Sequence, residues 1–233
     1  MRFLLLLLAL GCQSETSLIS QPPNVHPGDV TECDFVQVED TDFWAYECNP
    51  VFSATDEGWA PSIGGSSFVV TEVMGHAFFQ LFYIGWNNEA RDGDYGLGYA
   101  ISADGTDWSP NARNPLISPT AADAWDGSGM DAPRVVWDPQ TQQYVMLYQG
   151  YNLDPMNTSF AMGVATSTDG EAWSRYPLNP VLDMARPSGI VQNWCWPLGL
   201  TLGRVGGFKG YMAGIRTNNT ACEIFELTAG DIT

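Results

Sequence analysis

Asn-Pro-[Val/Leu] followed by an apolar residue occurs three times at a spacing of 65 residues: Asn49-Pro50-Val51-Phe52, Asn114-Pro115-Leu116-Ile117 and Asn179-Pro180-Val181-Leu182. A fixed period constrains a fold more than local propensity does, because each unit must be one supersecondary structure that packs on its neighbours. The register extends beyond the tetrapeptide. Residues 81–118 align without a gap onto residues 146–183, with twelve identities in thirty-eight positions. Tyr83, Gly85, Gly98, Asp104, Gly105 and Trp108 recur as Tyr148, Gly150, Gly163, Asp169, Gly170 and Trp173.

Each repeat reads as four short strands. In the first they are Ser67–Val73, Phe78–Trp86, Tyr95–Ser102 and a short piece after Trp108. In the second they are Pro133–Asp138, Tyr144–Tyr151, Phe160–Ser167 and a piece after Trp173. Gly75-His76 and Asp138-Pro139-Gln140 are turn signals between them. A third set runs through Leu198–Val205, Gly210–Arg216 and Cys222–Leu227, and residues 33–52 resemble the outer strands of one more unit. No segment has a helical apolar period. The expectation is an all-β protein, a β-propeller of four-stranded antiparallel blades over residues 33–233. About three blades are expected, against the four to eight that usually close a ring, so the array is expected to be incomplete at its C-terminus.

The N-terminus reads as an export signal. Arg2 precedes a short apolar run, Phe3–Leu10, far below the roughly 20 residues a membrane-spanning helix needs. The run ends at Ala9-Leu10-Gly11-Cys12, which resembles a lipobox and makes Cys12 a lipidation candidate. Residues 1–11 are then the signal peptide, and residues 12–32, rich in Ser and Pro, a flexible tether. Localisation is expected to be extracytoplasmic, with membrane attachment only through that N-terminal lipid. Setting Cys12 aside leaves Cys33, Cys48, Cys195 and Cys222, an even number that suits two disulfides in an oxidising compartment. The pairing Cys33–Cys48 and Cys195–Cys222 is favoured because each pair lies within one repeat. A net charge of −18 with nine basic residues opposes nucleic-acid binding, which relies on Lys and Arg contacts to phosphate. No cofactor is implied. The two His are isolated, and Asp92-Gly93-Asp94, the one loop that suggests calcium, reads as a solvated turn.

Ser102-x-Asp104-Gly105-x-x-Trp108 and Ser167-x-Asp169-Gly170-x-x-Trp173 look functional at first sight. Turn chemistry accounts for them: Asp accepts from backbone N–H groups two or three residues on, Gly supplies positive φ, and Trp packs beneath.

The stretch Trp125-Asp126-Gly127-Ser128-Gly129-Met130-Asp131-Ala132-Pro133-Arg134 is more telling. An acid beside a Pro at the start of an innermost strand, with Gly-Tyr-Ala-x-Ser-x-Asp-Gly-x-x-Trp and Asn-Pro-[Val/Leu] in the same repeat, resembles the five-bladed β-propeller glycosidases. These are glycoside hydrolase families 32, 43, 62, 68 and 130 and their relatives. The resemblance implies carbohydrate as partner and three carboxylates around a central channel, one acting as acid and another as base or nucleophile. Carried over by position, the second-repeat carboxylate is Asp131, with Arg134 nearby as a substrate-binding candidate. The aligned places in the other repeats, Gly65-Ser66 and Cys195-Trp196-Pro197, carry no acid. Asp56, Glu57 and Asp126 stand close by as substitute catalytic candidates. Trp86, Trp125, Trp194 and Trp196, near strand ends, are candidates for stacking on sugar faces. Three readings stay open: hydrolysis of an extracytoplasmic oligo- or polysaccharide, carbohydrate binding without catalysis, and a surface interaction propeller.

Overall fold

The computed structural model describes residues 33–54, 59–73, 75–87, 95–154, 159–183, 193–203, 206–215 and 221–230. The side chains of Val73, Asn193, Trp194, Cys195 and Cys222 are not among those described. The expectations for the signal peptide, Cys12, the tether, Asp56, Glu57, Asp92-Gly93-Asp94, the Trp194 side chain and the Cys195–Cys222 bridge therefore lie outside the described residues.

The chain divides into two compact units, Met1–Pro50 and Val51–Thr233. In the first, β1 (Phe35–Gln37) and β2 (Trp44–Tyr46) form an antiparallel hairpin. Cys33 and Cys48 are disulfide-bonded across its base, with Cα atoms 5.5 Å apart, as the sequence leads one to expect. Phe35 and Tyr46 pack ring on ring at 5.1 Å.

The second unit is three antiparallel sheets. The first runs β3 (Ser62–Val73), β4 (His76–Trp86), β5 (Gly96–Ser102), β6 (Ser109–Pro110). The second runs β7 (Gly129–Asp138), β8 (Gln143–Asn152), β9 (Ser159–Ser167), β10 (Ser174–Arg175). The third runs β11 (Asn193–Leu202), β12 (Phe208–Ile215), β13 (Cys222–Ala229), with no fourth strand among the described residues. Each sheet is a simple meander, and the first strands β3, β7 and β11 lie side by side with β7 in the middle. This is a partial all-β propeller, as expected. The first strands begin several residues earlier than pattern reading places them. Gly64, Gly65 and Pro197 fall outside the strands read from sequence and Pro133 at the start of one, yet all four sit at or beside β-bulges inside strands.

The Asn-Pro clip works the same way in both complete sheets. Asn114 Oδ1 accepts from Tyr99 N at 3.0 Å and its Nδ2 donates to Tyr99 O at 3.0 Å. Asn179 does the same to Val164 N and O, at 2.9 Å each. The next residues then pair back: Leu97 N donates to Ile117 O, and Met162 N donates to Leu182 O. The clip thus extends the ladder past the short fourth strand and satisfies backbone groups that an edge would leave open. All three Asn-Pro bonds are cis.

The recurring Gly and Tyr have a packing reason. Trp59 stacks on Tyr83 at 6.0 Å and lies over Gly85, where a Cβ would stand 2.5 Å from the indole. Trp125 tilts on Tyr148 at 5.7 Å and lies over Gly150, where a Cβ would stand 2.2 Å from the ring. Between the first two sheets the core holds Phe82, Ile84, Leu97, Tyr99, Tyr144 and Met146. A buried Gln80 spans the seam there, donating to Tyr99 OH at 2.8 Å and accepting from Tyr144 OH at 2.9 Å. A second cluster, with Leu147, Met162, Phe208 and Met212, joins the second and third sheets.

The Asp-Gly turns are structural, as turn chemistry implies. Asp104 Oδ1 accepts from Thr106 N at 2.7 Å and Asp107 N at 2.9 Å, and Trp108 Nε1 donates to Gly105 O at 3.0 Å. Asp169, Glu171, Ala172 and Trp173 repeat the arrangement. Gly105 and Gly170 take φ of 84° and 78°, a conformation that favours glycine. Partial burial works against the Asp104 charge, but the backbone donors outweigh it and bring its pKa down to about 2.

This packing and turn chemistry can be tested at two positions. Gly150→Ala drives a methyl into the Trp125 ring and is expected to cost about 1–3 kcal/mol in denaturant unfolding, as overpacked sites do. Asp104 has a folded pKa below its unfolded value of 3.8, so its contribution is present above that value and is lost as pH falls toward about 2. The difference in thermal midpoint between the wild type and Asp104→Asn should therefore be largest near neutral pH and shrink through that window. A gap that widens on acidification would overturn the assignment.

Candidate functional site

The three first strands meet where their bulges lie. Strand pairing makes the equivalences explicit. Gly64 stands opposite Ile84, Asp131 opposite Gln149, and Trp196 opposite Ala213. Position counting puts the first-sheet counterpart of Asp131 at Gly65-Ser66; pairing moves it to Gly64. The reason is the first hairpin, which pairs Val73 with His76, whereas the second pairs Asp138 with Gln143 across a turn two residues longer. In neither register does an acid face Asp131 from the first sheet, and Trp196 occupies the third-sheet place.

Asp131 is held in place by its surroundings. Its Oδ1 accepts from Ala132 N at 2.6 Å. A Cβ on Gly65 would stand 2.3 Å from that oxygen, so a glycine in the neighbouring sheet is what leaves room for the carboxylate. Gly65 has φ 37°, and Ala132 has φ 47°, a left-handed conformation that costs a non-glycine residue roughly 1–3 kcal/mol. Such local strain, held in place by packed surroundings, recurs at functional sites.

Arg134 does not project a free guanidinium toward the axis. Its Nε donates to Leu198 O on β11 at 3.0 Å, and its Nη1 donates to Ser66 O on β3 at 3.2 Å and to Pro133 O at 2.8 Å. Burial pushes its pKa down, and the Asp131 charge opposes that. One side chain thus bonds all three first strands. The sequence reading of Arg134 as a substrate ligand gives way to a role in joining the sheets. Val135 N, donating to Ser67 Oγ at 2.8 Å, adds to the same seam.

The remaining candidates separate. Asp126 is only 1% exposed. It accepts from Thr120 Oγ1 and pairs with Arg175 Nε at 3.4 Å. Arg175 is on β10, the outermost strand of its sheet, so the buried Asp126 ties the 119–128 loop to that strand; its two contacts are structural ones. Trp125 is used in covering Gly150 and Gly163, and so packs rather than presents a face. Trp86 stacks on Tyr95 at 5.4 Å and 11°, beside Gly64. Tyr95 meets Tyr151 edge-on at 5.7 Å, and Tyr151 stacks on Phe160 at 6.2 Å. Burial pushes the Tyr151 hydroxyl pKa well up, with Tyr95 and the Asp131 charge adding to it. Trp196, on β11, is 44% exposed, more than any other candidate ring whose side chain is described.

Tyr95 and Leu198 escape sequence reasoning, and Gly65 and Ser66 enter it only as an aligned place without an acid. Adjacent glycines at the head of a strand are a signal for Gly65; Ser66 and Leu198 act through backbone carbonyls, which leave no trace in residue type. Among the described residues no three His, Cys, Asp or Glu side chains gather as a metal site. Among the described residues, the matched places of the three first strands offer the Asp131 carboxylate, strand backbone and the exposed Trp196.

Arg134→Met removes the charged donor from three carbonyls at once. It is expected to cost about 2–4 kcal/mol in equilibrium unfolding, since hydrogen bonds to charged groups contribute about 1.5–3 kcal/mol and the orphaned carbonyls partly find water. Arg134→Lys, which lacks the planar fork, should recover only part of that. A loss below about 0.5 kcal/mol in Arg134→Met would contradict the bridging role.

No protein-family model matches this chain, and no curated protein does. Solved structures do match. The BT0996 RGII complex aligns with a TM-score of 0.56 at 19% identity, covering 81% of this chain and 53% of its counterpart. A candidate glycosidase from Bacteroides thetaiotaomicron VPI-5482 aligns with a TM-score of 0.54 at 22% identity, covering 85% and 58%. Fructan 1-exohydrolase IIa from Cichorium intybus, in complex with 1-kestose, aligns with a TM-score of 0.50 at 22% identity, covering 71% and 29%. The chain spans about half the length of the first two and under a third of the last. The fold is that of the β-propeller glycosidases.

Proposed function

We propose that this chain, a propeller with the glycosidase fold, binds a neutral oligo- or polysaccharide at the axis where β3, β7 and β11 meet. The observation that carries the proposal is that Asp131 is the one carboxylate at the matched places of the three first strands. Asp131 stands opposite Gln149, while the matching places in the other two sheets hold Gly64 and Trp196. Glycosidic hydrolysis divides acid and base or nucleophile work between two carboxyl groups, and one cannot do both at once. One carboxylate accepts hydroxyl hydrogen bonds well, because a charged acceptor makes shorter and stronger bonds than a neutral one. The exposed Trp196 ring supplies an apolar face for a sugar's C–H surface. Asp131 is the recognition acceptor in this reading, and Arg134 holds the strand that carries it.

Charge and compartment agree with this. A protein of net charge −18 repels anionic ligands and suits neutral ones. The Cys33–Cys48 disulfide, with the signal-like N-terminus, suits an extracytoplasmic protein.

Hydrolysis is the second reading, and one observation favours it. Asp56 and Glu57 lead into Trp59, which covers Gly85 as Trp125 covers Gly150, at the end of the sheets where Asp131 lies. One of these acids would have to serve as the second carboxyl group.

Titration calorimetry against neutral oligosaccharides from arabinan, xylan, mannan and fructan, with product analysis, separates the readings. We expect saturable binding without turnover, weakened about tenfold to a hundredfold in Asp131→Asn, the loss of one charge-assisted hydrogen bond. Turnover abolished in both Asp131→Asn and Glu57→Gln would establish hydrolysis instead. Binding unchanged in Asp131→Asn would remove the axis as the site.

A further inference from the structure

The second sheet departs from the first at one buried place. In each sheet a Trp covers a strand glycine, Trp59 over Gly85 and Trp125 over Gly150, and the next residue packs beside it. That residue is Ala60 in the first sheet and Asp126 in the second, with Cβ atoms 2.5 and 2.7 Å from where a glycine Cβ would stand. The matching position on the short fourth strand differs too. Pro110 pairs with Ala100 in the first sheet, and Arg175 pairs with Ala165 in the second, 65 residues on in both strands. A neutral Ala and Pro are thus exchanged for a carboxylate and a guanidinium.

The Asp126 side chain is 2% exposed and that of Arg175 31%. Arg175 Nε stands 3.4 Å from Asp126 Oδ2, and its Nη2 donates to Ser118 O at 2.5 Å. Tyr148 completes the cluster. Burial and the Asp126 charge push its hydroxyl pKa up to about 12, and Arg175 opposes them. An ion pair this buried gains little over neutral packing, because desolvation offsets the attraction. What it confers is a single geometry, since either charge left alone is costly.

That geometry is passed toward the axis. Residues 119–128 lead directly into β7, and the loop is bonded along its length. Thr120 Oγ1 donates to Asp126 Oδ1. Asn152 Nδ2 donates to Ala122 O at 2.9 Å and to Ala124 O at 2.6 Å, and Ser159 Oγ donates to Trp125 O at 3.0 Å. Gly127 lies so close that a Cβ would stand 2.6 Å from Ala121 O. Ser128 N then donates to Tyr151 O at 3.0 Å, and β7 begins at Gly129, two residues before Asp131. The first sheet, which lacks the pair, has Gly64 where the second has Asp131.

We propose that Asp126 and Arg175 are positioning residues for Asp131: their pair fixes the 119–128 loop so that β7 enters the axis with the carboxylate in place. The effect on binding rests on the reading of Asp131 as the recognition acceptor; the effect on the placement of Asp131 does not.

The double variant Asp126→Ala/Arg175→Pro tests this in the full chain. It removes both charges together and gives the second sheet the residues that the first sheet already accommodates. The Ala132 amide, which donates to Asp131 Oδ1, reports the placement of the carboxylate without any ligand. In the variant this amide is expected to shift in nitrogen–proton correlation spectra and to exchange about tenfold faster. Affinity for neutral oligosaccharides from arabinan, xylan, mannan and fructan should fall about tenfold in calorimetry. If the double variant does not fold, Arg175→Lys decides. It keeps a cation beside Asp126 but lacks the planar fork that also reaches Ser118 O, and should show the same changes in smaller measure. An Ala132 amide unmoved in shift and exchange would overturn the proposal, and a lowered thermal midpoint with that amide unmoved would mark the pair as merely structural. A moved amide with unchanged affinity, or a wild type that binds none of the sugars, upholds the positioning role and overturns the reading of the axis instead.

Discussion

Sheets that are apolar on both faces cannot stand alone, and this constraint organises the second unit. In β8 every residue from Tyr144 to Asn152 is buried, so both faces of the second sheet need cover. Stacking sheets face to face provides it. Phe82, Tyr99, Tyr144 and Trp173 fill one seam with rings, and Leu147, Met162, Phe208 and Met212 fill the other with smaller groups. The two seams differ in chemistry as well as in size. The aromatic seam also carries Gln80 bonded to two tyrosines, a buried polar link whose geometry only one packing satisfies. The aliphatic seam leaves a cavity.

Stacking also creates the axis. Once the sheets fan out, their first strands converge, and the bulges in those strands bring backbone carbonyls inward. Arg134 answers those carbonyls from the middle strand, where a long, forked donor reaches both neighbours. The Asp131 carboxylate survives beside it because Gly65 has no side chain to displace it. The axis thus brings together a glycine in one sheet, an acid in the next and an exposed indole in the third.

Much of the fold was legible from particular residues. The Asn-Pro period, the Asp-Gly turns and the Gly-Tyr pairs each report a local structure that repeats, and each takes the same form in the two complete sheets. The candidate site was less legible. Asp131 could be singled out because an acid beside a proline is a local pattern. Asp126 stood beside it as a substitute in sequence, but its ion pair is with Arg175, on a strand 49 residues away, and no local pattern announces that pairing. Arg134 looked like a ligand because residue type says nothing of which carbonyls lie within reach.

By itself, the sequence determined the repeat, the strand content and the turn chemistry and favoured the Cys33–Cys48 bridge, because each depends on residues close in the chain or on a period that one reading can count. Only the tertiary structure decided which side chains share the axis. A bulge and a hairpin two residues longer shift one strand against its neighbours, and no count along the chain carries that displacement across three sheets. The site is a property of strands brought together from distant parts of the chain, and contact, not sequence order, settles its membership.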